Sequence, residues 1–132
     1  MSLERKPRIT LFHCLNSFSE SPGLFDGCDA SIVRMACSSM TRDIFLLKAF
    51  ESGADAVIVL VCPDRACRHI QGSIRARKRV DYVKGILDEI GMDSRRLAIF
   101  NTRAGDADAV KNIVREVLTE LKELGPNRVA AA

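Results

Sequence analysis

The chain has no tryptophan and one tyrosine among its 132 residues. With aromatic residues at 5 %, it lacks the row of stacking rings on which single-stranded nucleic acid is bound. Charge of one sign is also scarce. Twenty Lys and Arg against seventeen Asp and Glu leave a formal +3, too little for a dedicated nucleic-acid binder that must neutralise several phosphates. Long apolar runs are missing as well. Ile32–Val33 and Val57–Val61 fall far short of the roughly 20 residues that cross a bilayer, so no membrane span is expected. Met1–Arg8 is charged but followed by only a short apolar stretch containing a cysteine, which does not read as a secretory leader. These absences point to a soluble, cytoplasmic protein.

Catalytic fingerprints are absent too. The chain contains no G-x-G-x-x-G, no G-x-x-x-x-G-K-S/T, no H-E-x-x-H and no G-x-S-x-G. Its carboxylates are scattered, with no pair beside the cysteines to act as acid and base. No independent turnover is expected of such a chain.

What is present is a globular composition, 47 % hydrophobic and 28 % charged, in a length that suits one domain over 1–132. Short apolar runs predict strands at Ile9–His13, Ser31–Ala36, Ala56–Val61 and Leu97–Phe100. Their near-continuous hydrophobicity predicts burial on both faces, as in a parallel sheet. Helical spacing predicts three helices between and after them. Thr41 is placed to cap the first, which runs to about Ser52, with Ile44, Leu47 and Phe50 on one stripe and Gly53 as its stop. The second spans about Ile74–Ile90, with Val80, Val83, Leu87 and Ile90 in register and Gly91 after it. The third spans about Asp106–Leu124, closed by Gly125-Pro126. Leu15–Ala30 reads as a loop with a short helix over one end of the sheet, and residues 126–132 as a frayed tail. The expected fold class is α/β: a three-layer domain with a small, mainly parallel sheet of about four strands, in the order βαβαβαβα with right-handed crossovers.

The five cysteines are an odd number for a short chain of this kind, and reduced thiols there read first as metal or redox ligands. Three predicted strands run into one: Cys14, Cys37 and Cys62. In a parallel sheet all carboxyl ends share one edge, where ligands bind, and neighbouring strands lie about 4.8 Å apart. Cys67 follows Cys62 after four residues, toward the same edge. Four convergent thiolates suit iron–sulfur ligation. Against this stands the use of cysteine as a small buried hydrophobe, the role assigned to Cys28 as a semi-buried loop thiol. Zinc held by Cys62, Cys67 and His69, with His13 nearby, fits less well, because only one close cysteine pair exists. Between residues 65 and 79 lie Arg65, Arg68, Arg75, Arg77, Lys78 and Arg79 with no acid among them. This run is either a solvated helix face or a surface that stabilises a negatively charged centre and docks an acidic partner.

The run Cys37-Ser38, then Phe45-Leu46-Leu47-Lys48-Ala49-Phe50-Glu51-Ser52-Gly53-Ala54-Asp55-Ala56-Val57, resembles the delta subunit of methyl-viologen-reducing hydrogenase. So do Cys62, Cys67-Arg68-His69, Gly72-Ser73, Ala76 and Arg79-Val80, with Leu87, Gly91, Arg96 and Leu97 beyond. The resemblance runs from about Pro7 to Leu124. It implies an oxidoreductase subunit that carries a 2Fe–2S cluster on Cys14, Cys37, Cys62 and Cys67. Such a subunit passes electrons between hydrogenase or formate dehydrogenase subunits and heterodisulfide-reductase-like subunits. Arg65, Arg68, His69, Arg75, Arg77, Lys78 and Arg79 are expected, from the charge of that segment, to form the electrostatic face toward such partners. One position departs from the family pattern: Ser17 stands where a second cysteine of a C-x-x-C is expected. Two alternatives therefore stay open, a cluster-free docking or regulatory module and a small thiol-redox protein using Cys62 and Cys67.

Overall fold

A computed structural model describes residues 7–14, 28–35, 42–61, 72–102 and 106–125. Within them the chain forms β1 (Arg8–Cys14), β2 (Asp29–Met35), α1 (Asp43–Glu51), β3 (Ala56–Val61), α2 (Gly72–Glu89), β4 (Leu97–Asn101) and α3 (Ala107–Leu124). A 3₁₀ turn, Ser94–Arg96, leads into β4. All strand pairs are parallel, in the order β2-β1-β3-β4. The expected α/β fold and four-strand parallel sheet are found. The expected loop at Leu15–Ala30 lies outside the described residues up to position 27, and its last two residues, Asp29 and Ala30, belong to β2 instead; the tail at 126–132 also lies outside them.

Strand alternation divides the sheet between two cores. Phe12, Val57, Val59 and Val61 pack with Leu46 and Phe50 of α1 and with Ala76, Val80, Val83 and Leu87 of α2. On the other face Ile9, Leu11, Ile58 and Leu60 pack with Val110, Ile113, Val114, Val117 and Leu121 of α3. That is the three-layer arrangement. β3 is buried at every position, because it has a strand on each side and helices on both faces.

Three local expectations are corrected. β2 is not buried on both faces: it forms one edge of the sheet, with Ser31, Val33 and Arg34 exposed. An apolar run cannot reveal whether a strand will be flanked on one side or two. α1 begins after Arg42, which occupies the cap position without a side-chain cap bond, so the hydroxyl cap expected from Thr41, outside the described residues, is not what precedes the helix. Cys28 is buried rather than half-buried, and packs into the α3-side core. The expected helix stops hold: Gly53, Gly91 and Gly125 all take positive φ. At Gly53 the reason is visible, because φ is +109°, a backbone conformation that side chains other than glycine rarely adopt.

The sheet's amino-terminal edge is held by charge. Arg96 is 7 % exposed, and its guanidinium donates to the carbonyls of Asp55, Leu124 and Gly125 at 3.0, 3.1 and 2.9 Å. The last two carbonyls close α3, where a helix leaves its acceptors unpaired and where a cation is favoured. Asp55 is fully buried. Its carboxylate accepts from the Arg8 amide at 2.8 Å, and its own amide donates to the Arg8 carbonyl at 2.7 Å. Burial lowers the pKa of Arg96, while nearby Asp55 and Asp93 oppose that shift. Arg95, its neighbour, is exposed and pairs with Asp93 at 2.9 Å.

Arg96→Met removes donors from three carbonyls, so it should cost about 3 kcal/mol; urea unfolding of both chains checks this. Hydrogen bonding from the Arg95 side chain and backbone holds the Asp93 carboxyl below its ordinary range. A depressed carboxyl pKa stabilises above the unfolded value and is lost as pH falls through the folded one. Asp93→Asn should therefore cost less than about 1 kcal/mol at pH 7, since the pair is exposed. Unfolding curves repeated near pH 2 should show that difference vanishing.

Candidate functional site

The strand order creates the site. From β1 the chain goes to β2 on one side, then returns to β3 on the other. The crevice between the carboxyl ends of β1 and β3 is the point where that order reverses, and open parallel sheets bind their ligands there. Cys14 is the last residue of β1. It lies one step beyond the registered pair His13–Leu60, which brings it level with Val61, the last residue of β3. Cys62 follows Val61 directly in sequence. On the far side of β1, Cys14 is registered with Met35, two residues ahead of Cys37 in sequence.

Cys37, Cys62, Cys67, Arg65, Arg68 and His69 lie outside the described residues. Among the described residues no group of three or more His, Cys, Asp or Glu side chains could hold a metal ion. His13 is 6 % exposed and falls on the α3 face of β1, by alternation with Ile9 and Leu11. Cys28 stands at the opposite end of β2 from Met35 and is part of the apolar core.

The basic residues that are described sit on α2. Arg75, Arg77 and Lys78 are exposed and Arg79 is half-buried. α2 has no acid in its first turn and no base in its last, while Asp88 and Glu89 end it. That polarity opposes the helix dipole, which favours anions at the start and cations at the end by about 0.3–1 kcal/mol each. Helix stability does not explain the placement. Because α2 follows β3, its basic half begins at the carboxyl edge of the sheet, the same edge as Cys14. By contrast α3, which follows β4 and starts at this edge too, is capped by Asp106, whose carboxylate accepts from the Ala109 amide at 3.2 Å.

Sequence reasoning missed the strand order, and with it the crevice between the carboxyl ends of β1 and β3 at which Cys14 stands. It also missed Arg96 as the residue that fixes the opposite edge. An arginine in a polar turn carries no signal of burial until β4 and α3 are seen to converge on it. No helix among the described residues is long and apolar enough to cross a membrane.

The family profile described as "Methyl-viologen-reducing hydrogenase, delta subunit" matches residues 28–125. Cys37, Cys62 and Cys67 fall inside that span, whereas Cys14 and the rest of β1 precede it, so the match is shorter than the resemblance drawn from Pro7 onward. Among curated proteins, the chain is 37 % identical over 95 residues to a subunit of the Ferredoxin:CoB-CoM heterodisulfide reductase of Methanosarcina mazei. It covers 12 % of that much longer subunit with 72 % of its own length. It is 35 % identical over 100 residues to the vhu iron-sulfur subunit of the F420-non-reducing hydrogenase of Methanocaldococcus jannaschii, covering 75 % of it with 76 % of its own length. The corresponding iron-sulfur subunit of Methanococcus maripaludis is also 35 % identical, over 99 residues, which are 75 % of this chain and 74 % of that one. The profile spans most of the sheet and all three helices, and on that ground the chain belongs to the methyl-viologen-reducing hydrogenase delta subunit family.

Proposed function

We propose that this chain is an electron-transfer subunit holding a 2Fe–2S cluster on Cys14, Cys37, Cys62 and Cys67. In this reading it links a hydrogenase or formate dehydrogenase to a heterodisulfide-reductase-like complex. The observation that carries the reading is the place of Cys14 at the reversal of strand order, in a chain of this family. The names of its relatives add support: one class is called an iron-sulfur subunit of a hydrogenase, the other a heterodisulfide reductase subunit.

The donor set suits the group, since iron–sulfur clusters are held by thiolates and all four candidates are cysteines. Such a cluster supplies exchange of single electrons. The chain's own contribution is rigidity and field. β1 is hydrogen-bonded on both sides, so Cys14 is anchored to the middle of the sheet. Arg75, Arg77 and Lys78 raise the local potential at that edge, which favours a negatively charged centre and draws an acidic partner. Arg65, Arg68, His69 and Arg79 belong to the same face in this reading.

Ser17, in place of an expected cysteine, and a family match that begins after β1 favour a second reading. In that one the fold and docking face are kept without a cluster. Iron content separates the two. Anaerobic reconstitution should give a brown protein with about two irons per chain, and Cys14→Ser should lower that content and change the electronic spectrum. A colourless wild-type protein that still binds its partner complex would establish the second reading instead. Replacing Arg75, Arg77 and Lys78 with Glu should weaken assembly with a heterodisulfide-reductase-like complex about tenfold or more at low salt and flatten its salt dependence. Titration of the purified components across ionic strength checks this, and unchanged binding would make the run a solvated face.

A further inference from the structure

Among the described residues, three large apolar side chains are left exposed at one corner of the fold. Ile44 is 49 %, Phe45 47 % and Val33 40 % exposed. Ile44 shares a helical stripe with Leu47 and Phe50 in the sequence, yet Leu46 and Phe50 are what α1 buries in the core. Val33 is registered with Phe12, which packs in the core with α1 and α2, so it lies on their side of the sheet. Because α1 follows β2, its first turn stands at the carboxyl edge, toward which Val33 also lies. Single exposed apolar residues are ordinary, whereas several on one face at one end make a patch. Cations share that end. Arg42 immediately precedes α1, and Arg75, Arg77 and Lys78 belong to the start of the neighbouring α2; all four are exposed. The exposed acids described on the two helices, Glu51, Asp81, Asp88 and Glu89, lie at mid-helix or at the far end.

We infer that this corner is the apolar anchor of a docking face for a protein whose surface offers an apolar pocket ringed by carboxylates. This face is the one read above from the charge of α2, on which it rests, and α1 supplies what charge alone does not. Protein interfaces place aromatic and apolar side chains at the centre and polar ones at the rim. A few central residues carry most of the affinity. Phe45 and Ile44 suit the centre, and the cations beside them suit the rim. Charge steers the encounter, and burial of the two side chains slows its reversal. An anionic membrane would match the same charge. However, α1 is nine residues long and its inner side is committed to the core, too narrow an apolar face to lie in a bilayer interface. The matching segment of the longer Methanosarcina mazei chain makes up 12 % of it, so a domain of this kind has protein as its neighbour there.

Binding of the full chain to a purified heterodisulfide-reductase-like complex, followed in real time across ionic strength, provides the test. Ile44→Ser and Phe45→Ser should each weaken binding about tenfold, through faster dissociation and equally at low and high salt. Phe45→Leu should keep most of the affinity. Both positions are half exposed, so the melting temperature should stay within a few degrees of wild type. Replacing Arg75, Arg77 and Lys78 with Glu should act instead on association and on its salt dependence. If that charge reversal weakens binding while the serine variants bind like wild type, the anchor is overturned and the docking reading stands. If neither set changes binding, or the wild type binds no such complex, both fall together. Wild-type chain that pellets with vesicles of phosphatidylserine and phosphatidylcholine, while Phe45→Ser does not, would assign the corner to a membrane and overturn a protein occupant.

Discussion

The buried guanidinium of Arg96 is the constraint on which the rest of the sheet's geometry hangs. It donates to three carbonyls from two different places in the chain, the residue before β3 and the end of α3. Burying a cation is costly unless its donors are met, and here carbonyls meet them beside the buried Asp55. Asp55 in turn extends the β1–β3 ladder by one more pair of bonds with the Arg8 backbone. Four elements are thereby fixed at one edge: β1, β3, β4 and α3. Their other ends are left to serve chemistry.

That division of labour runs the length of the strands. The six residues of β3 put about 20 Å between the charged latch and the edge that holds Cys14. The backbone of β1 is bonded to a neighbour on either side, so its last residue inherits the rigidity of the whole sheet. A cysteine placed there needs no local disulfide or turn to hold it. The basic half of α2 opens at the same edge, and its cost to the helix is borne by the deep packing of Val80, Val83 and Leu87, each such burial contributing about 1.5–3 kcal/mol.

Much of this was legible in the sequence, for identifiable reasons. β3 announced itself because six consecutive apolar residues between turn formers leave few alternatives. α3 did so because Val110, Val114, Val117 and Leu121 recur at helical spacing and Gly125 stops them. The helix stops were readable because only glycine takes their backbone conformation at low cost. β2 was found but misjudged, since Ile32 and Val33 look the same at a sheet's edge as at its centre. The start of α1 was misjudged because a threonine one residue upstream looked like a better cap than Arg42. Strand order had no local signal at all, and with it went the single crevice at the end of β1. For Cys37, Cys62 and Cys67 the sequence and the family remain the grounds of assignment.

The central position of β1 has a consequence for how the molecule is made. β1 leaves the ribosome before the strands it pairs with, and it can complete neither ladder until β2 and β3 have followed, the latter more than forty residues later. Parallel pairing across such a separation is slow, because chain entropy must be spent before the contacts return it. Until β3 has emerged, the edge of β1 that will pair with it is open to another chain. The β1–β3 seam, at whose end Cys14 lies, therefore stays open after the β1–β2 ladder can form, and only the β3–β4 pair comes later.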